Sequence, residues 1–527
     1  MRVINPNLLR RIALPAATML AFVLGGCVVG PKYHAPAPQA PPDYKEAPAP
    51  ATPAPAQAAT PQDPTLGGLG GWSVAQPKDA TLRGKWWEIY NDPELSSLEE
   101  QLNLNNQNIK QAYENYMAAS AIVREARSQY FPTASVAPAW TRSRASANLH
   151  NAVSTSGATA SAAGTQGTVI DLPATIGWEP DLWGRVRNSV RQAQYNAQVS
   201  AADLENARLS QQAALASYFF ELRGQDALIQ ILNNTVASYK KSLEIARAQY
   251  ETGVSDQIAL VQAQATLESA QSQATNAGVL RAEYEHAIAT LVGKTASEFS
   301  IPAKPMLTTP PPIPVGLPSQ LLERRPDIAA AERTMAAANA QIGIAYAAYY
   351  PNLTLSASGG FQSSTWKHLL DLPSRFWSIG PSISETVFDA GLRRATIHQY
   401  VATYNADLAG YRQSVLTAFQ QVEDELATLR ILTEQIQQQR QAVESNRVVL
   451  DLETRRYESG IDPYIDVVTQ ENALLSAEQT LAQIEIQRTT ASVLLIEALG
   501  GGWDRSQLPN TEQVTAKPAP SETTQQK

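Results

Sequence analysis

Ile170-Asp171-Leu172-Pro173-Ala174-Thr175-Ile176-Gly177-Trp178 is the stretch on which the fold turns. Ile170, Leu172, Ala174, Ile176 and Trp178 fall on one face, while Asp171 and Thr175, with Glu179 just beyond, fall on the other. Successive side chains of a strand point to opposite sides, so this alternation predicts a half-buried strand. Downstream the pattern returns as Leu353, Leu355, Ala357 and Phe361, then Trp377, Ile379 and Ile383, with Thr354, Ser356, Ser378, Ser382 and Ser384 between them. Runs of about ten residues have the length that crosses a bilayer as a tilted strand. Each stretch reads as two strands joined by a loop rich in Ser, Thr, Gly and Ala, most clearly over 145–168. Trp140, Trp178, Phe361, Trp366 and Trp377 stand near strand or loop ends, where an interfacial aromatic girdle would want them.

The two stretches belong to a duplicated module. Tyr250-Glu251-Thr252-Gly253 recurs as Tyr457-Glu458-Ser459-Gly460, Gly184 has its counterpart at Gly391, and Leu291-Val292-Gly293 matches Ala498-Leu499-Gly500. These glycines share an offset of 207 residues; upstream, Tyr130-Phe131-Pro132 and Tyr349-Tyr350-Pro351 are 219 apart, which leaves 12 extra residues in the first copy. Two copies make a duplication rather than a solenoid. In each copy a helix-like stretch precedes the strands, and a proline-free run follows, about 184–253 and 391–460. Ile229, Leu232, Val236, Tyr239, Leu243, Ala246 and Tyr250 are spaced by threes and fours, as are Val415, Phe419, Val422, Leu426 and Leu429. That spacing is a coiled-coil seam, and each helix would be about 100 Å long.

Four such strands cannot close a barrel, because the smallest closed barrels have about eight. An open sheet in lipid leaves backbone groups unpaired at a cost of several kcal/mol each. Several chains must therefore share one barrel. Two would give eight strands with a filled interior and three would give twelve with a lumen; spacing alone leaves both open.

The start of the chain reads as an export signal: Arg2, Arg10 and Arg11, an apolar run from Ile12 to Leu24, then Leu24-Gly25-Gly26-Cys27. The last four resemble a bacterial lipobox, so residues 1–26 are expected to be a signal peptide and Cys27 to carry a covalent lipid. Val28, in place of Asp, favours sorting to the outer membrane. Cys27 is the only cysteine, which excludes a disulfide within one chain. Residues 27–80 are expected to form the lipidated N-terminus and a Pro/Ala-rich tether, and 503–527 a disordered polar tail. A net charge of -8 over 527 residues argues against a nucleic-acid partner. No later stretch offers 18 uninterrupted apolar residues for a transmembrane helix.

Cys27-Val28-Val29-Gly30-Pro31-Lys32-Tyr33, Trp86-Trp87-Glu88-Ile89-Tyr90-Asn91-Asp92-Pro93-Glu94-Leu95 and Leu321-Leu322-Glu323-Arg324-Arg325-Pro326-Asp327-Ile328, continuing through Glu332, Ala338-Asn339-Ala340 and Ile342-Gly343, carry a family resemblance. Over about 27–502 the chain resembles the TolC-like outer membrane factors, in the NodT-type lipoprotein branch. The resemblance implies an α+β membrane protein: a homotrimer with a twelve-stranded β-barrel, four strands per chain, continued by a long α-helical coiled-coil periplasmic tunnel with an equatorial domain. The first repeat would span 81–300 and the second 331–502, with a linker over 301–330. Within that linker, Pro326 after Arg324-Arg325 reads as the first position of a helix, with Asp327 in its first turn.

The function implied is the outer membrane channel of a tripartite efflux system. It would passively conduct drugs or other small molecules delivered by an inner-membrane RND-type pump and a periplasmic adaptor. Family position puts adaptor docking at the two tip turns, Gly253-Val254 and Gly460-Ile461, and a gate at Tyr457, Asp462 and Asp466. Asp462 stands where some relatives have Arg, and Ala259 where the first repeat can carry an acid. An intra-tip Asp–Arg lock is therefore not expected; Asp462 and Asp466 would instead form two rings of carboxylates.

Catalysis finds no support. His34, His150, His286, His368 and His398 are scattered, and neither a phosphate loop nor a nucleophile elbow is present, so no enzyme, metal or cofactor beyond the Cys27 lipid is expected. The alternatives are the duct of an ATP-driven type I exporter and a periplasmic spacer lipoprotein that transports nothing. Five methionines without clustering make a dedicated copper or silver duct a poor match, and the cargo is otherwise unspecified.

Overall fold

The computed structural model describes residues 28–36, 40–41, 44–46, 84–144, 146, 166–305, 309–313 and 318–516. Cys27 and the signal before it lie outside them. The strands are β1 (Thr133–Val136), β2 (Ala139–Arg144), β3 (Gln166–Trp178), β4 (Asn352–Ser363) and β5 (Arg375–Ser384). β1 and β2 both pair with β3 on the same edge, so the sheet is four strands wide, in the order β1/β2, β3, β4, β5, all antiparallel. The break between β1 and β2 falls at Ala137-Pro138, opposite Leu172-Pro173. Proline has no N–H to give the ladder, so pairing lapses there.

Register carries the alternation across the whole sheet. Ala134, Ile176, Ala357 and Ile379 are consecutive partners, and so are Ser135, Thr175, Ser358 and Ser378 one step along. One face is therefore mainly apolar, with Trp140, Ile176, Trp377, Ile379 and Ile383 exposed, and the other carries the Ser and Thr side chains. Neither β1/β2 nor β5 has a partner on its outer side among the described residues.

The helices are α1 (Pro93–Asn105), α2 (Gln107–Ser128), α3 (Arg185–Glu251), α4 (Gln257–Leu291), α5 (Pro318–Arg324), α6 (Pro326–Ala347), α7 (Leu392–Glu458), α8 (Tyr464–Ala498) and α9 (Thr511–Thr515). α3 and α7 are each 67 residues long and start 207 residues apart. Near the sheet the helices lie abreast in the order α2, α3, α6, α7; toward the far end the order is α4, α3, α8, α7. The change of partners falls at a belt cored by Trp86, Leu95, Leu102, Phe219, Phe220 and Ile288. Asp92 starts α1 there, accepting from the N–H groups of Glu94 and Leu95 at 2.8 and 3.1 Å. No described helix is long and apolar enough to cross a membrane.

α3 and α7 differ in burial despite equal length. α3 has helices on both sides and 25 buried residues; α7 is flanked on one side only and has 10.

Two expectations change, both outside the repeats. α6 itself opens at Pro326, where the proline pre-sets the first helical turn and Asp327 favours its positive end. Arg325 ties that start to Asp327 at 2.6 Å and to the carbonyl of Ala498 at 2.9 Å. The tail beyond 502 is ordered as far as 516: Trp503 packs against Ala202, Ala329 and Ala330, and Val514 against Val123, Val186 and Val190. A capping box between Asn510 and Gln513 satisfies the start of α9. The N-terminal segment, where described, is a strap rather than a free tether. Val29 donates to the carbonyl of Trp183 at 3.1 Å. Gly30, at φ +113°, crosses α6 so closely that a Cβ would meet Gly343 Cα at 2.7 Å. The Tyr33 hydroxyl donates to Glu332 Oε1 at 2.6 Å, while Arg505 donates to Oε2 of the same carboxylate at 3.0 Å. Further on, Tyr44 is buried beside Leu321, Tyr411 and Val415.

Candidate functional site

The far end of the helical layer is built from two hairpins, α3–α4 and α7–α8. Both turns are Schellman motifs. The N–H of Val254 reaches the carbonyl of Gln249 at 2.8 Å and that of Gly253 reaches Tyr250 at 3.0 Å; Ile461 and Gly460 repeat this to Arg456 and Tyr457 at 3.0 and 2.9 Å. The reversal requires a left-handed residue, and Gly253 and Gly460 supply it at φ +72° and +71°. The residues after them are thrown outward, Val254 73 % exposed and Ile461 66 %. With Ile258, Val261 and Ile465, also exposed, they give each turn an apolar crest.

Behind the crest, Tyr457 of α7 and Tyr464 of α8 pack at 5.2 Å between ring centroids, among Ala246, Ala259, Ala263, Val467 and Val468. Ala259 thus fills a place in an apolar cluster, where an acid would lose its hydration. Burial pushes both tyrosine hydroxyls up from their ordinary value.

The two acids expected at the gate sit differently. Asp462 accepts from Nε and Nη2 of the Arg456 guanidinium, the contact of Nη2 to Oδ1 being 3.0 Å. This corrects the expectation that the tip lacks an Asp–Arg pair and presents Asp462 as a free carboxylate. Arg456 lies in the last turn of α7, and the Schellman turn folds the loop acid back onto it. The guanidinium holds the Asp462 carboxyl below its ordinary value. Asp466 is exposed in the first turn of α8, with no cation at ion-pairing distance among the described residues. Glu453, one turn before Arg456, has its carboxyl raised by loss of hydration and by Asp462 and Asp466. The sequence reading passed over Arg456, Tyr464 and, further up the seam, Glu471. A signal existed for the last: Tyr464, Val468, Glu471 and Leu475 form one helical stripe, and an acid on an apolar stripe is out of place. No group of residues suited to holding a metal ion occurs among the described residues.

Comparison with known proteins agrees with this architecture. The sequence profile of the outer membrane efflux proteins matches residues 98–294 and 317–501. The antibiotic efflux pump outer membrane protein ArpC of Pseudomonas putida is 30 % identical over 496 residues, covering 93 % of this chain and 96 % of its own. Among solved structures, the outer-membrane channel OprN superposes with a TM-score of 0.77 at 27 % identity, over 90 % of this chain and all of that one. The CmeC outer membrane channel of Campylobacter jejuni superposes at 0.76 with 22 % identity, over 92 % and 97 %, which speaks to the fold alone.

Proposed function

The chain belongs to the outer membrane efflux protein family, and from that premise we propose that three copies build one channel through the outer membrane, with a helical duct on its periplasmic side. It is the outer membrane component of an efflux system. The observation that carries the channel reading is the sheet: one face mainly apolar, the other crossed by the polar row Ser135, Thr175, Ser358 and Ser378, and both edges open among the described residues. A lipid-facing barrel wall with a wet lumen needs this pattern, and twelve strands leave room for the lumen. The bare flank of α7 supports the same reading, since α2 and α4 of a neighbour would cover it as α6 and α8 cover α3.

The lipid on Cys27 would then be an auxiliary anchor. It would start the strap whose next residues, Val28 to Tyr33, run along α3 and α6. The crests at Val254 and Ile461 are the surface offered to a periplasmic adaptor, apolar and presented twice per chain. Tyr457, Asp462 and Asp466 line the tip, which closes the duct when idle. A proton-driven RND pump fits the lipoprotein branch, with drugs or other small molecules as cargo; the duct of an ATP-driven exporter is the competing reading.

Purified protein added to planar bilayers tests the proposal. Stepwise, uniform conductance is the expected result. A correctly inserted protein that passes no current would instead be a spacer.

A further inference from the structure

Glu471 lies on α8 where that helix faces α3, 7 % exposed. Ser242 of α3 donates to its Oε1 at 2.9 Å, and Oε2 has no partner. The hydroxyl of Tyr239, one turn earlier on α3 and 3 % exposed, is also without one. Both side chains line a cleft of about 430 Å³ between α3, α7 and α8. Two orphaned polar groups on one cleft are unusual, because burying them without partners costs stability. The other titratable or charged groups around the cleft are Tyr464, Glu478 and Glu485 of α8 and Arg447 of α7, with Glu485 accepting from Arg440 at 2.6 Å. Arg447 is engaged, donating to Glu478 at 3.0 Å and to Glu444 at 3.3 Å. From α4, Leu267 and Ala270 pack in the same apolar cluster as Tyr239. Loss of hydration pushes the Glu471 carboxyl up to about 7, against a smaller opposing effect of the Ser242 hydroxyl.

α3 and α8 come from different hairpins, and their seam is the main contact between those hairpins within a chain. At the repeat offset of 207, the position equivalent to Glu471 is Gln264, exposed and donating to Glu268 at 3.0 Å. The titratable group thus marks one seam of the duplicated pair and not its counterpart.

We propose that Glu471 is a proton-operated latch on this seam: neutral, it lets α3 and α8 stay zipped; ionised, it draws water into the cleft and parts them. The sign follows from linkage. A carboxyl raised in the closed seam and ordinary once hydrated favours closure at low pH. That preference declines as pH rises from the ordinary carboxylate range, about 4.3, through the raised value. Parting the hairpins would loosen the tip, a consequence that rests on the channel reading; the seam itself does not.

Thiol labelling of the full-length protein tests the latch without requiring conduction. Cys27 is the only native cysteine, so Thr235→Cys, half-buried on the cleft wall, can be followed alone. Its maleimide labelling rate, divided by that of the same cysteine in a Glu471→Gln background, cancels the titration of the thiol. The ratio should rise about tenfold between pH 5.5 and 8, and a flat ratio overturns the latch. Should Glu471→Gln fail to fold, Ser242→Ala serves instead. Without its hydrogen bond the carboxyl should titrate higher, moving the labelling midpoint upward, and an unmoved midpoint also overturns the latch.

Discussion

Asp462 and Asp466 stand four residues apart, yet their charges are not equivalent. Asp462 shares its charge with Arg456; Asp466 is exposed and has no ion-pair partner among the described residues. Replacing Asp466 by Ala should weaken cation selectivity, read as the reversal potential across a salt gradient in bilayers, and an unchanged potential would remove it from the pore. Asp462→Asn should do more, because it leaves the Arg456 cation uncompensated and pushes selectivity toward anions. Restoring balance with Arg456→Gln in the same chain should bring the potential back. The Asp462 carboxyl is held low, so the pair is intact at neutral pH and is lost only as pH falls through that lowered value, beneath the ordinary carboxylate range. Residue types at the turns were legible in the sequence because glycine at a helix end has a backbone reason to be there. The Arg456–Asp462 pair was not, since it joins residues across a reversal whose geometry no periodicity describes.

Among the elements, β3 and β4 meet most tightly at Gly360, where a Cβ would lie 2.1 Å from the carbonyl oxygen of Leu172. Gly360→Ala should therefore separate this pair and lower the amount of assembled protein in outer membrane fractions, whereas Gly380→Ala, with open space at its Cβ, should not. The alternation announced these strands because each side chain reports its own face. The long helices were likewise plain from unbroken three-four spacing without proline. The tail was misread for a physical reason: 505–527 is too polar to form a core of its own, but a few anchors suffice when a core already exists. Val514, 1 % exposed, and the Asn510 cap are two of them. Asn510→Ala should cost about 1 kcal/mol and Val514→Ala about 1–2 kcal/mol of local stability. Limited proteolysis at Arg505 would register both as faster cleavage, and rates equal to the parent's would mean that the tail packs independently of them.

For the whole molecule, the unequal burial of α3 and α7 is the strongest sign of what is absent from a single chain. Leu416 and Ile431, 62 % and 53 % exposed on α7, are predicted to lie against a neighbour. Leu416→Asp with Ile431→Asp should dissolve the oligomer seen by cross-linking while leaving the helical circular dichroism of the protomer intact. By contrast, Cys27→Ser, exported by a different signal, should still assemble; complete loss of the oligomer would make the lipid part of assembly and not a mere anchor.

Glu332 sets an order of events. Its two oxygens receive Tyr33 from one end of the chain and Arg505 from the other, 299 and 173 residues distant along the sequence. A chain that crosses a membrane beginning with its N-terminus delivers Tyr33 long before anything exists for it to bind. Closing so large a loop is slow as well. The strap must therefore settle late, after the body of the second repeat has arrived, and until then the segment next to Cys27 hangs free. The far-off partner acts as a clock: the front of the chain docks only once the rest has arrived, which would leave Cys27 open to the processing proposed for it.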